Sequence, residues 1–307
     1  IELYFYENES EALSAYKNSE VMGLAGISPQ NQKEGATRNT EIHKLKMPKY
    51  FSVFFNQNNN KVLADKNVRT ALLYATNKEK IIEDIFKNNA TPIDSPIPPW
   101  LSVYNENIKK HEFSKDTALK ILEENGWKDK NQDGIREKTI GSDKEPTNLE
   151  ITLVTSDFSD HILTGEILKK QWLEIGAKIN LESYPIDELK QKIIKQRKYD
   201  ALIFGEVLSQ SPDPYVFWHS SQKKDPGLNL SAYDNKTADQ LLEIARQALS
   251  SEENSTALNK FQEILTDDAP ALFLYSPDYI YAVNKSVKNI NVKNINIPSR
   301  RFSEIEK

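Results

Sequence analysis

Two short stretches carry the side chains best suited to holding a polar molecule. Thr155, Ser156, Asp157 and Phe158 follow one apolar run, and Glu206, Ser209, Gln210, Asp213, Tyr215, Phe217 and Trp218 follow another. Each set places hydrogen-bonding groups beside aromatic surface, which suits a polar ligand with apolar parts. The same residues also fit structural work, with Asp157 and Asp213 as helix caps and Phe217 or Trp218 as core. Catalytic chemistry has less to draw on. The chain has no glycine-rich phosphate loop, no Gly-x-Ser-x-Gly turn and no His-Glu-x-x-His. Its four histidines, His43, His111, His161 and His219, are far apart, and there is no cysteine to join them. The expectation is a binding protein and not an enzyme, with no cofactor, no catalytic residue and no metal.

One further run has a metal-loop look. In KDKNQDGIREK, Asp129, Asn131, Asp133 and Gly134 match the first half of an EF-hand loop, where alternate side chains supply oxygens and glycine permits the sharp turn. The second half departs from that pattern, because the twelfth position is Ile140, which has no carboxylate to give. A turn leading into a strand is the favoured reading, Asp-Gly being a turn dipeptide in its own right.

The elements that must position the two polar stretches come from periodicity. LEITLVT (149 to 155), AKINLESY and DALIFGE read as strands, with helical patterns at HILTGEILKKQWLEIG and IDELKQKIIKQ between them. That is strand, helix, strand, helix, strand over residues 149 to 206, the grammar of an α/β layer with right-handed crossovers. In such a layer ligands approach the carboxyl ends of the strands, where both polar stretches lie. Earlier, Phe51, Val53 and Phe55 predict a strand, Asp65 and Asn77 predict helix caps, and the four prolines of TPIDSPIPP predict an irregular loop. IELYFY at the start reads as a strand, Ala12 to Tyr16 as a short helix, and Val21 to Ala25 as a second strand. Ser114 caps a helix that stops at Gly126, and two helices and two strands are expected between residues 231 and 284.

Composition narrows the partners. The 307 residues suffice for one large or two medium domains, and the net charge of -5 comes without a clustered basic stripe, so nucleic acid is not an expected partner. The densest basic run, Lys190 to Lys198, reads as the solvated face of one helix. No apolar run approaches a membrane span. Ile1 opens directly into a strand-like segment with no leader, so the chain reads as a fragment whose membrane contact would run only through an N-terminal anchor outside it.

The run ADKNVRTALLYATNKEKIIEDIFKNNATPIDSPIPP resembles the signature segment of the extracytoplasmic solute-binding proteins that serve peptide and nickel ABC importers. Asn56, Asp65, Val68, Arg69, Ala71, Ala75, Asn77, Lys78, Ile81 and Pro92 fall in register with it. Leu168 to Ile179 and Lys198 to Gly205 resemble the family's core lines, and the Asp129 to Arg136 run resembles a connector. The family's G-E-[VI]-D line is replaced by Ser19, Glu20, Val21 and Met22. The resemblance implies an α/β fold: the second lobe of a two-lobed periplasmic-binding-protein-like fold, with strands of an incomplete first lobe. On that basis residues 1-55 would be first-lobe fragment and hinge crossing, 56-280 the second lobe, and 281-307 the return to the first. It also implies an extracytoplasmic location (periplasm or cell surface), a peptide or other small solute as ligand, ABC permease subunits as partners, and hinge closure without catalysis. Where peptide-binding members hold charged ligand ends with an Arg and an Asp, this sequence has Thr155 and Ser209. That departure leaves open a longer peptide held by its backbone, a different solute, or a lost transport role. The alternative is an interaction or signalling module that keeps the fold and binds a protein through residues 213 to 218.

Overall fold

A computed structural model describes residues 1–209 and 211–302. In chain order its strands are β1 (Gly23–Ala25), β2 (Thr40–Leu45), β3 (Lys49–Phe55), β4 (Ala90–Pro92), β5 (Glu137–Lys138), β6 (Thr147–Asn148), β7 (Glu150–Ser156), β8 (Lys178–Tyr184), β9 (Ala201–Val207), β10 (Ala271–Pro277) and β11 (Tyr279–Asn284). Six of them form one sheet in the order β4-β10-β3-β9-β7-β8, and β1, β11 and β2 form a second, smaller one. β7 runs parallel to β8 and β9, whereas β3 is antiparallel to both β9 and β10. The carboxyl ends of β7, β8, β9 and β10 therefore share one edge with the start of β3.

Residue alternation divides the core between the two faces of the large sheet. Val53, Phe55, Ile151, Leu153 and Ile203 pack with Trp172 and Leu168 of helix Ser159–Leu173. Tyr50, Phe54, Val154, Leu202 and Phe273 pack on the other face with Trp218, Tyr233 and Phe261. Each fully buried side chain of this size contributes about 1.5–3 kcal/mol relative to exposure, so both layers are needed to hold the sheet.

The local signals in the sequence act as their chemistry requires. Asp65, Asn77 and Ser114 accept hydrogen bonds from Asn67, Lys80 and Thr117 N–H groups, capping helices Lys66–Tyr74, Lys78–Phe86 and Lys115–Glu124. Arg69 donates to the carbonyls of Leu63, Ala64, Asp268 and Ala269, which ties a helix to the turn before β10. Three expectations need correction. IELYFY forms no strand: residues 1 to 6 pair with no strand edge among the described residues, and Phe5 is almost fully exposed. TPIDSPIPP is not wholly irregular, because Ala90–Pro92 pairs with β10 at the edge of the sheet, where a proline without an N–H is tolerated. Phe158, not Asp157, is the N-cap residue of helix Ser159–Leu173, and no side chain caps it.

The chain crosses between the two sheets at Lys46–Pro48 and again at Asp278. An ion pair joins these crossings, Lys46 Nζ lying 2.5 Å from Asp278 Oδ1 and equally close to Thr91 Oγ1. β3 belongs to the large sheet from Lys49 onward, so the chain has already joined that sheet before residue 55. No helix among the described residues is long and apolar enough to cross a membrane.

Candidate functional site

The shared edge of the large sheet is where its loops project, and it adjoins the two crossings. Alternation sends Lys49, Phe51, Thr155 and Gly205 toward the face covered by helix Ser159–Leu173, and Tyr50 and Glu206 toward the opposite face. The two polar stretches thus flank one edge but do not converge on one point.

On the first face, Thr155 is fully buried and its Oγ1 has no hydrogen-bond partner. Ser156 Oγ lies 2.6 Å from His161 Nδ1. Burial pulls the His161 imidazole below its ordinary value, with Asp160 opposing. The histidine is sandwiched, its centroid 4.9 Å from Phe51 and 5.6 Å from Phe158. Phe158 is half exposed, and Asp157 is exposed with its N–H donating to the Tyr184 carbonyl. Tyr275 packs against Phe86 with the rings tilted and their centroids 4.6 Å apart, and its hydroxyl meets Thr164 Oγ1 at 2.9 Å. Phe51 packs closely on Gly205, where a Cβ would fall 2.7 Å from the ring, so any larger residue there would push the ring aside. Lys49 completes the rim, its ammonium drawn below the usual lysine value by desolvation against the opposing pull of Asp160. The Ser156 and His161 pair resembles half of a hydrolytic constellation. Ser156 is fully buried, however, so a scissile carbonyl has no path to its oxygen.

The second stretch is differently built. Glu206 is buried and accepts from the Tyr50 hydroxyl, while its Oε1 has no partner. Burial pushes this carboxyl up to about 8, against the lowering effect of the tyrosine bond. Val207 is exposed, and Leu208 N–H donates to the Pro48 carbonyl of the crossing at 2.7 Å. Ser209 is exposed, its hydroxyl donating to the Ser211 carbonyl. Gln210 lies outside the described residues. Asp213 faces Arg246, with Nη2 2.6 Å from Oδ2, and also accepts from Tyr215 N–H. Tyr215 is held between the Arg246 guanidinium, 3.8 Å from its ring, and His219, stacked at 4.1 Å. Phe217 is half buried against the second core, and Trp218 is wholly inside it beside Phe54 and Phe273.

Lys49, Phe51, His161 and Tyr275 escaped the sequence reading. Lys49 and Phe51 enter the edge at the start of an antiparallel strand, which a search of carboxyl ends passes over. Among the described residues no group of three His, Cys, Asp or Glu side chains stands ready as a metal cage. The first rim offers hydroxyls, one amine and aromatic faces, a set for hydrogen bonding and stacking.

A two-sheet chain with a polar, aromatic rim at its crossings is the architecture of a solute-binding protein. The chain belongs to the bacterial extracellular solute-binding proteins, family 5, whose middle-region model matches residues 1–229. Members of this family bind solutes without catalysis. The oligopeptide-binding protein AppA of Bacillus subtilis (strain 168) is 29% identical over 255 residues, covering 81% of this chain and 44% of that protein. The structure of AppA from Bacillus subtilis in complex with a nonapeptide superposes with a TM-score of 0.79 at 24% identity, over 97% of this chain and 58% of that one. NikZ from Campylobacter jejuni in complex with Ni(L-His) gives a TM-score of 0.74 at 24% identity, over 93% of this chain and 56% of that one. The chain spans about half the length of the curated relatives it matches.

Proposed function

We propose that this chain is the greater part of the ligand-binding half of an extracytoplasmic protein that delivers a peptide or similar solute to an ABC importer. In this reading the large sheet and its helices are the second lobe, and β1, β2 and β11 belong to the first. The observation that carries it is the coincidence of the rim around Phe51, Thr155, Phe158 and His161 with the edge where both crossings leave the large sheet. A solute seated there would bridge the two lobes, stabilise the closed form by its differential affinity, and so signal occupancy to the importer. The names of AppA and NikZ indicate peptides and a nickel chelate as the first solutes to try.

The test is a thermal-shift screen of the complete gene product against short and long peptides and nickel-histidine. A ligand at about 100 times its Kd raises stability by roughly 2.7 kcal/mol, an unmistakable shift. Phe158→Ala should weaken that binding while leaving the unliganded melting point in place. No shift across peptides and chelates overturns the proposal. The interaction-module alternative finds less support, because Asp213, Tyr215 and Trp218 are already engaged within the chain.

A further inference from the structure

Most half-buried lysines of this chain end on an aspartate. Lys46, Lys78, Lys138 and Lys223 are only partly exposed, and they pair with Asp278, Asp94, Asp65 and Asp234. An ammonium taken out of water without a counter-charge is costly, which is why the pairing recurs. Lys49 breaks the pattern. It is partly exposed like the others, yet among the described residues its ammonium has no hydrogen-bond acceptor and no carboxylate in ion-pair contact.

The neighbours of Lys49 explain why the chain itself supplies no partner. Lys49 opens β3 and pairs across the sheet with Val207, an exposed apolar residue at the end of β9. Glu206 adjoins Val207 but faces the other side of the sheet, where it is buried against Tyr50. Asp160, in the first turn of helix Ser159–Leu173, draws on the ammonium without pairing with it. Its carboxylate is engaged at the helix N-terminus, accepting from the His161 N–H at 3.1 Å. Desolvation outweighs that pull and holds the Lys49 ammonium below the usual lysine range. Phe51, two residues along the same face of β3, packs on His161, which in turn meets the half-exposed Phe158. The unpaired cation thus stands at the same rim as the open aromatic surface.

We infer that Lys49 receives a carboxylate of the solute, so that the rim selects ligands carrying one, whether a peptide or a metal chelate. This rests on the reading of the rim as the solute site. The ligand's carboxylate would take the place that an aspartate holds at the other half-buried lysines, as a charge-assisted bond in a partly dehydrated setting. Phe51 and Phe158 would cover the apolar part beside it.

Calorimetric titration of the complete gene product isolates the charge from the rest of the ligand. The probes are short and long peptides of Ala, Phe and Ser, each as free acid and as C-terminal amide, and nickel-histidine beside nickel-histidinamide. Wild type should bind an acid at least about tenfold more tightly than its amide, as a hydrogen-bonded charge pair provides. Lys49→Met should lower the affinity for the acid to the level of the amide, and Lys49→Arg, which keeps the charge, should retain the preference. Lys49→Met should also leave the unliganded melting point in place, because the ammonium has no partner within the chain to lose. A peptide amide carrying one glutamate locates the carboxylate: tight, Lys49-dependent binding assigns it to a side chain, and weak binding to the chain end. Equal affinity of wild type for acid and amide, or an acid preference undiminished in Lys49→Met, overturns the inference and leaves the solute site standing. Binding of no probe overturns both.

Discussion

The two polar stretches at the edge of the large sheet have similar composition and opposite fates. Residues 155 to 158 leave a half-exposed phenylalanine and a buried hydroxyl without a partner, backed by His161 and Phe51. Residues 213 to 218 spend their groups inside the chain: an ion pair for Asp213, a stack for Tyr215, the core for Trp218. The richer aromatic segment is thus the plug of the second core, and the plainer one is the available surface. What separates them is the layer above each strand end. A long helix starts beside Phe158 and leaves the rim open, whereas helix Lys236–Gln247 brings Arg246 onto Asp213 and Tyr215.

The largest test of that contrast is truncation. Trp218→Ala should cost about 3–5 kcal/mol by opening a cavity among Phe54, Tyr233 and Phe273. Phe158→Ala should cost less than about 0.5 kcal/mol, as exposed substitutions do. Urea denaturation of both variants measures this, and equal losses would erase the distinction between plug and rim.

Glu206 gives the next effect, through pH. The unfolded carboxyl releases its proton near 4.5 and the folded one at about 8. Between those values the folded state holds more protons, so this group's contribution is full below about 4.5, declines as pH rises, and is lost above about 8. The upper bound is on the order of several kcal/mol, reduced by any water that reaches the site. His111 acts in the opposite sense: burial lowers it to about 4, so its contribution holds above its ordinary 6.5 and is lost as pH falls toward 4. Comparing wild type with Glu206→Gln cancels the histidine. The difference in unfolding free energy between them should change by several kcal/mol from pH 5 to pH 8.5. A difference flat with pH would mean that Glu206 is ionised and solvated.

Much of this was legible because local chemistry decided it. Asp65, Asn77 and Ser114 cap because their side chains reach the first free N–H groups, and strands β7, β8 and β9 follow from apolar runs alternating with a helical period. Arg69, buried in a packed helix, donates to main-chain carbonyls, a partner choice that only the tertiary arrangement displays. Residues 1 to 6 misled because alternation marks a segment fit for a sheet without providing an edge for it. At the rim, Thr155 and Glu206 sit on opposite faces because their strands meet in a register that no single sequence displays. Lys49 and His161 come to the rim from an antiparallel strand and from a helix. Long-range register and the arrival of Arg246 are tertiary events, and they separated the open segment from the closed one.

The smallest predicted effect probes that arrival. Asp213 and Arg246 are each somewhat under half exposed, so water screens the pair and its coupling should be only about 0.2–1 kcal/mol despite the two-pronged geometry. The guanidinium also lies 3.8 Å over the Tyr215 ring, a contact that survives loss of the carboxylate. Arg246→Ala should therefore destabilise more than Asp213→Ala, because it removes both contacts, and a double-mutant cycle on Asp213 and Arg246 should return a small coupling that shrinks in 1 M salt. Repeating the cycle on Tyr215→Leu isolates the ring. If Arg246→Ala and Asp213→Ala cost the same in that background and differ in the native one, the arginine closes this segment by covering the tyrosine. Equal costs in both backgrounds would reduce its role to the ion pair alone.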